Sequence, residues 1–159
     1  MLLLNNDPML IAFAALDLGK AERNNDAPWL RTMLGRLGLG WLIGQPWCGS
    51  IMADWAIKAG HKPPRAAYRA QSWLDWGRPI AEPVRGCVVV FARKGGGHVG
   101  IVVGHTATGQ LAVLSGNVGD KVCVASFKRE RVLGYRLPPG DRQYAALPLV
   151  EADGSPGEA

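Results

Sequence analysis

No Cys-x-x-Cys pair, no His-Glu-x-x-His run and no cluster of ligand side chains at metal spacing occurs in the chain. The sequence therefore predicts no structural zinc, no metalloprotease centre and no cofactor. Cysteine is scarce: three, at 48, 87 and 123, cannot all pair within one chain. At 159 residues the chain is long enough to bury a core without disulfides, and one domain is expected. Acidic residues are outnumbered, 13 against 18 Lys plus Arg, for a net charge of +5. Residues 139–159 hold Arg142 against Asp141, Glu151, Asp153 and Glu158, a local −3 that leaves +8 on the rest. A surface of that sign suits an anionic partner such as nucleic acid, anionic lipid or a bacterial envelope polymer. Long apolar runs are missing as well. Met1-Leu2-Leu3-Leu4 lacks the basic flank and cleavage site of a signal peptide, and residues 9–18 carry Asp17 and are too short to span a bilayer. The expectation is a soluble protein made in the cytoplasm, with no transmembrane segment, that would need separate release to act outside.

The most informative stretch is Gln45-Pro46-Trp47-Cys48-Gly49-Ser50. Pro46 resists continuing a helix behind it, and Ile51, Met52, Trp55, Ala56 and Ala59 recur as a helical stripe, so a helix starts at or near Cys48 and ends at Gly60. A cysteine in a first turn lies beside unpaired N–H groups and the positive end of the helix dipole, both of which favour thiolate. A lone helical cysteine is otherwise a small buried hydrophobe; a base elsewhere in the chain is needed to change that reading.

Around this stretch the elements read in order. Asp7 caps a helix with Pro8 at its first position, and Asp26 caps a second carrying Trp29, Leu30, Met33, Leu34 and Leu37. Gly35 to Gly40 lacks the Lys-Ser/Thr and preceding strand of a phosphate loop. A further helix places Ala66, Ala67, Ala70, Trp73 and Leu74 on one face and stops at Gly77. Five strands follow, over 87–91, 98–104, 111–115, 122–127 and 132–137, so helices precede an antiparallel meander in an α+β domain. Cys87 is expected in the core, His61 in a loop and His105 at a turn. Residues 139–159 read as a partly ordered tail that the fold does not need.

The hairpin supplies the candidate base. Pairing residue 104 with 111 and extending the ladder puts His98 opposite Asn117. A side-chain amide there would accept the imidazole N–H and fix its tautomer, as the third group of Cys-His catalysis does.

Trp47-Cys48, Ser72-Trp73-Leu74-Asp75-Trp76-Gly77, Val88-Val89-Val90-Phe91, Gly96-Gly97-His98-Val99-Gly100 and Ser115-Gly116-Asn117 together resemble the small phage-type relatives of the CHAP and NlpC peptidases. The resemblance spans roughly residues 8–138. It implies a papain-like fold, with residues 1–138 as the catalytic domain, and a Cys-His-Asn hydrolase that cuts amide bonds of peptidoglycan. Cys48 would be the nucleophile, His98 the general base and Asn117 the orienting residue, with Gln45 as an oxyanion donor beside the Cys48 N–H and Trp47 and Trp73 as substrate-binding aromatics. Two departures stand out: Cys87 replaces an acidic residue usual before the hydrophobic strand, and the acidic calcium loop of some relatives is absent. The implied protein is a monomeric stem-peptide endopeptidase or muramoyl-alanine amidase of the endolysin type. It would bind peptidoglycan and the anionic envelope rather than nucleic acid, and reach the wall through holin-type release or in a virion. The alternatives are a non-catalytic virion or envelope-binding module of this fold, and an acyltransferase or deamidase toxin acting on proteins.

Overall fold

The computed structural model describes residues 1–152. Three α-helices, α1 (Met9–Leu16), α2 (Pro28–Arg36) and α3 (Cys48–Lys58), precede the sheet. Its six strands are β1 (Arg78–Ile80), β2 (Val88–Arg93), β3 (Gly96–His105), β4 (Leu111–Val118), β5 (Lys121–Phe127) and β6 (Val132–Leu137). All pair antiparallel, in the order β1-β6-β2-β3-β4-β5. The α+β expectation holds, and the expected meander of five strands is a sheet of six.

Several local expectations are corrected. Asp7 does not cap α1: Pro8 holds that position without a side-chain cap, and the Asp7 carboxylate is drawn off to Arg85. Asp26 likewise pairs with Arg31 at 2.7 Å, while Ala27 stands at the N-cap of α2 and Pro28 opens the helix. The helix expected over 66–76 shrinks to a 3-10 turn, Ala70–Asp75. Ala66 takes a left-handed φ of 51°, and the backbone of Ala67 and Tyr68 presses so closely on Gly49 of α3 that a Cβ there would collide with it. Trp73 anchors this turn from inside, its Nε1–H bonding Ala67 O at 2.9 Å. Strand β1 escaped the sequence reading because it is three residues long with Pro79 in the middle, a residue that only an edge strand tolerates.

The sheet is buried on both faces, which is why its strands read as continuous apolar runs rather than as alternation. Val88, Val90, Val99, Ile101, Val103, Ala112 and Leu114 face the helices and join α1, α2 and α3 in one core. Cys87, Val89, Phe91, Val102, Leu111, Val113 and Phe127 build a second core on the opposite face.

That second face is roofed in part by the segment expected to be a partly ordered tail that the fold does not need. Tyr144 and Leu147 pack on it. The His105 N–H bonds Pro148 O at 2.8 Å, the Val150 N–H bonds His105 O at 2.9 Å and the Arg85 N–H bonds Ala145 O at 3.0 Å. Residues 139–152 are thus a docked strap; residues 153–159, the remainder of the expected tail, lie outside the described residues. Arg85, 2% exposed, is the internal tie: it grips both Asp7 carboxylate oxygens at 2.7 and 2.9 Å and donates to the carbonyls of Val103 and Leu2. The sequence reading passed it over, since a lone arginine before a strand carries no pattern.

Deleting residues 142–159 should therefore destabilise the protein. Re-exposing the Tyr144 and Leu147 side chains and the apolar surface beneath them should cost about 2–4 kcal/mol, at roughly 1.5–3 kcal/mol per fully buried large side chain. Urea unfolding of the truncated and full chains measures it; coincident midpoints would show that the strap adds nothing.

Candidate active site

Cys48 is the first residue of α3, as its sequence context predicts. No side chain of the N-cap residue Trp47 caps this helix. Instead the Trp47 N–H bonds Asn117 Oδ1 at 2.9 Å, and the Trp47 ring meets Trp29 edge-on at 5.2 Å. The same ring lies over Gly116, where any Cβ would collide with it. The start of α3 is thereby wedged against β4, and the Cys48 sulfur lies against the backbone N–H of Val99, the residue after His98.

Burial raises the Cys48 pKa and outweighs the Val99 N–H, the Arg93 charge and the first-turn N–H groups, all of which pull it down. The expected preference for thiolate is reversed: the resting group is a thiol. Only 4% of the residue is exposed, so the desolvation of a thiolate is the larger effect. Cys87, in the second core, is pushed up to about 12 by burial and is inert, in keeping with the core role expected for it.

His98 is 2% exposed. Its ring stacks on Phe127 at 5.2 Å and 14°, lies 6.4 Å from Phe91, and its Nε2 pairs with Ser115 Oγ at 2.9 Å. Burial first, then the charges of Arg93 and Arg131, lowers its pKa to about 3, so the imidazole is neutral at rest. No hydrogen bond joins ring and thiol; the contact shown is between the sulfur and the backbone one residue along.

The partner of His98 is thus Ser115, which corrects the expectation for Asn117. At the turn the ladder pairs His105 with Leu111, and a bulge between Val102 and Gly104 then brings Val102 opposite Val113 and Ile101 opposite Leu114. Continued without change, that register puts His98 across from Asn117. It does not continue, because β4 bulges between Ser115 and Val118 and Asn117 takes a left-handed φ of 65°. The amide swings to the helix side, accepting from Trp47 N–H and donating from Nδ2 to Asn25 Oδ1 at 3.2 Å. Ser115, two residues earlier, keeps its hydroxyl on the imidazole.

A cleft of about 440 Å³ opens beside Cys48, lined by Gln45, Tyr68, Arg69, Gln71 and Arg93 and floored by Gly95, Gly96 and Gly97. Gln45 is exposed on its wall. Trp47 and Trp73 are not in it: at 1% and 0% exposed they are core residues, which removes them as substrate-binding groups. The exposed aromatic of this region is Trp41, 66% accessible and edge-on to Tyr68 at 5.4 Å. A tryptophan between Gly40 and Gly44, off any helical stripe, was the available signal for it.

No protein-family model matches the chain, and no curated protein matches it in sequence. Among the described residues no helix is long and apolar enough to cross a membrane, and no group of three His, Cys, Asp or Glu is placed to hold a metal ion.

The His98 environment predicts a pH signature. Its pKa in the folded chain, about 3, lies below the ordinary 6.5, so between those values the unfolded chain binds a proton that the folded chain refuses. Stability should fall as pH drops through that window, by up to about 1.4 kcal/mol per pH unit from this group. Urea midpoints at pH 7, 6, 5 and 4 should decline less steeply for His98→Gln than for the parent; parallel curves would show that the ring takes up protons freely.

Proposed function

We propose that the chain is a thiol-dependent amide hydrolase acting on bacterial peptidoglycan, with Cys48 as nucleophile, His98 as base and Ser115 as the residue that positions the ring. The observation that carries the reading is the linked placement of the three. The sulfur of a helix-start cysteine lies at the backbone of residue 99, and the ring of residue 98 is tied through Nε2 to a hydroxyl. With Nε2 donating to Ser115 Oγ, Nδ1 is the nitrogen free to take a proton.

In this reading substrate enters the cleft with its amide carbonyl at Cys48. Nδ1 takes the thiol proton as sulfur attacks the carbonyl carbon, and the Cys48 N–H and Gln45 side-chain amide stabilise the oxyanion. The imidazolium returns the proton to the leaving amine. Water, deprotonated by the same ring, then cleaves the thioester, releasing the carboxylic acid and restoring the thiol. Both groups start neutral, so the nucleophile is made during attack rather than stored as a thiolate. The excess of basic residues and a cleft whose charged lining is Arg69 and Arg93 support an anionic wall polymer as substrate. Two observations favour the runner-up, a non-catalytic wall-binding module of the same fold: thiol and ring share no hydrogen bond, and the ring stacks on Phe127 in the core on the sheet face away from α3.

Digestion of purified peptidoglycan with mass analysis of the new ends separates the readings. Free amines on stem residues mark an endopeptidase, whole released stems an amidase, and intact polymer the binding module. Among variants, Cys48→Ala should abolish turnover and His98→Ala nearly so. Ser115→Ala should lower kcat by about 10–100-fold, part of the roughly 10²–10⁴ that general acid–base catalysis supplies. Asn117→Ala should act first on stability, by about 1–3 kcal/mol for the buried Trp47 N–H it leaves unpaired, and by loosening the start of α3 should lower kcat of the folded fraction less than Ser115→Ala does. The opposite ranking, Asn117→Ala crippled and Ser115→Ala unaffected, would return the orienting role to Asn117.

A further inference from the structure

Arg93 ends β2 and lines the cleft beside Cys48, and its Nη1 is buried without a hydrogen-bond partner. A guanidinium offers five N–H donors in a planar fork that matches a carboxylate, and a desolvated donor left unpaired is costly. The lining of the cleft gives the Arg93 cation no counter-charge: its other charged residue is Arg69, itself a cation 5.7 Å over the Tyr68 ring, and no Asp or Glu lines it. There is room for a guest. The hairpin after Arg93 is bare, and a Cβ added at Gly95 or Gly96 would meet no atom within 4 Å.

Resting on the hydrolase reading above, we infer that Arg93 seats a free carboxylate of the substrate next to the scissile amide, so that the cleft selects acidic stem peptides over amidated ones. The guanidinium N–H groups that Arg93 presents to the cleft would close on the carboxylate, fixing how far the neighbouring carbonyl reaches toward Cys48. Gln45 and Gln71, exposed on the same walls, are neutral and can bond either form of the peptide, so discrimination falls to the arginine.

Binding can be tested without turnover. The probes are N-acetylmuramoyl tetrapeptides of one sequence, with the glutamate carboxylate outside the peptide chain either free or converted to the carboxamide, titrated calorimetrically into Cys48→Ala protein. The free carboxylate should bind about tenfold or more tighter. Adding Arg93→Gln should erase that preference, and Arg93→Lys should restore part of it. In the enzyme with Cys48 intact, Arg93→Gln should raise KM for the acidic probe by a similar factor while changing kcat less. Equal affinity for both probes, or a preference that survives Arg93→Gln, overturns the assignment. So does binding of neither probe; in that case digestion of whole peptidoglycan by the unmodified chain shows whether the hydrolase reading falls with it.

Discussion

The bond from the Trp47 N–H to Asn117 Oδ1 fixes where α3 begins, and the cleft is built out from that point. A helix without a side-chain cap needs some other group to hold its first turn, and here the group comes from a strand 70 residues away. Asparagine suits the position twice over: it tolerates the left-handed backbone of the β4 bulge, and its amide both accepts from Trp47 and donates to Asn25. Gly116 beside it leaves the space that the Trp47 ring occupies. Net, such a hydrogen bond is worth only about 1 kcal/mol, but a buried N–H left unmade costs more. Position is the larger consequence, because the same wedge brings the Cys48 sulfur to the Val99 N–H.

Burial then governs the ionisation of Cys48 and His98. Helix-end N–H groups and the Arg93 charge both favour a Cys48 thiolate, yet desolvation exceeds them. The same Arg93 charge opposes protonation of His98, with burial again the first cause and Arg131 adding to it. An isolated thiolate or imidazolium is therefore disfavoured here. Ser115 fits this balance. Its hydroxyl orients the ring but carries no charge to stabilise imidazolium, as a carboxylate at that place would, so the ring stays neutral until a proton is delivered to it.

Local signals carried part of this into the sequence. Pro46 followed by an apolar stripe put the start of α3 at or near Cys48, where it lies, and the apolar runs of β2 and β3 were plain because both sheet faces are covered. The partner of His98 was not legible, since a ladder extrapolated in even steps cannot contain the bulge at Asn117. That bulge answers the tertiary demand of Trp47, far away in sequence. The same cause hid Arg85, whose partners Asp7, Val103 and Leu2 meet only in the folded chain, and made Trp47 and Trp73 read as substrate platforms when they are core. Residues 139–152 belong to a stretch whose Pro, Gly and acidic residues read as a tail, and they have the contacts of a strap.

That strap bears on the setting of His98 as well as on stability. His98 stacks on Phe127, and Phe127 belongs to the far-face core against which Tyr144 and Leu147 pack. Phe91, pairing with His98 across β2 and β3, stacks on Phe127 at 4.5 Å and completes an aromatic wall behind the imidazole. Dryness at the ring is the first cause of its low pKa, and it is maintained by side chains on the face of the sheet away from the helices. Cys48 is supplied by the helical layer and the setting of His98 by the opposite one. The sheet is the partition through which the two must be matched, and its bulges at Val102/Gly104 and Ser115/Val118 bracket the segment where that matching occurs.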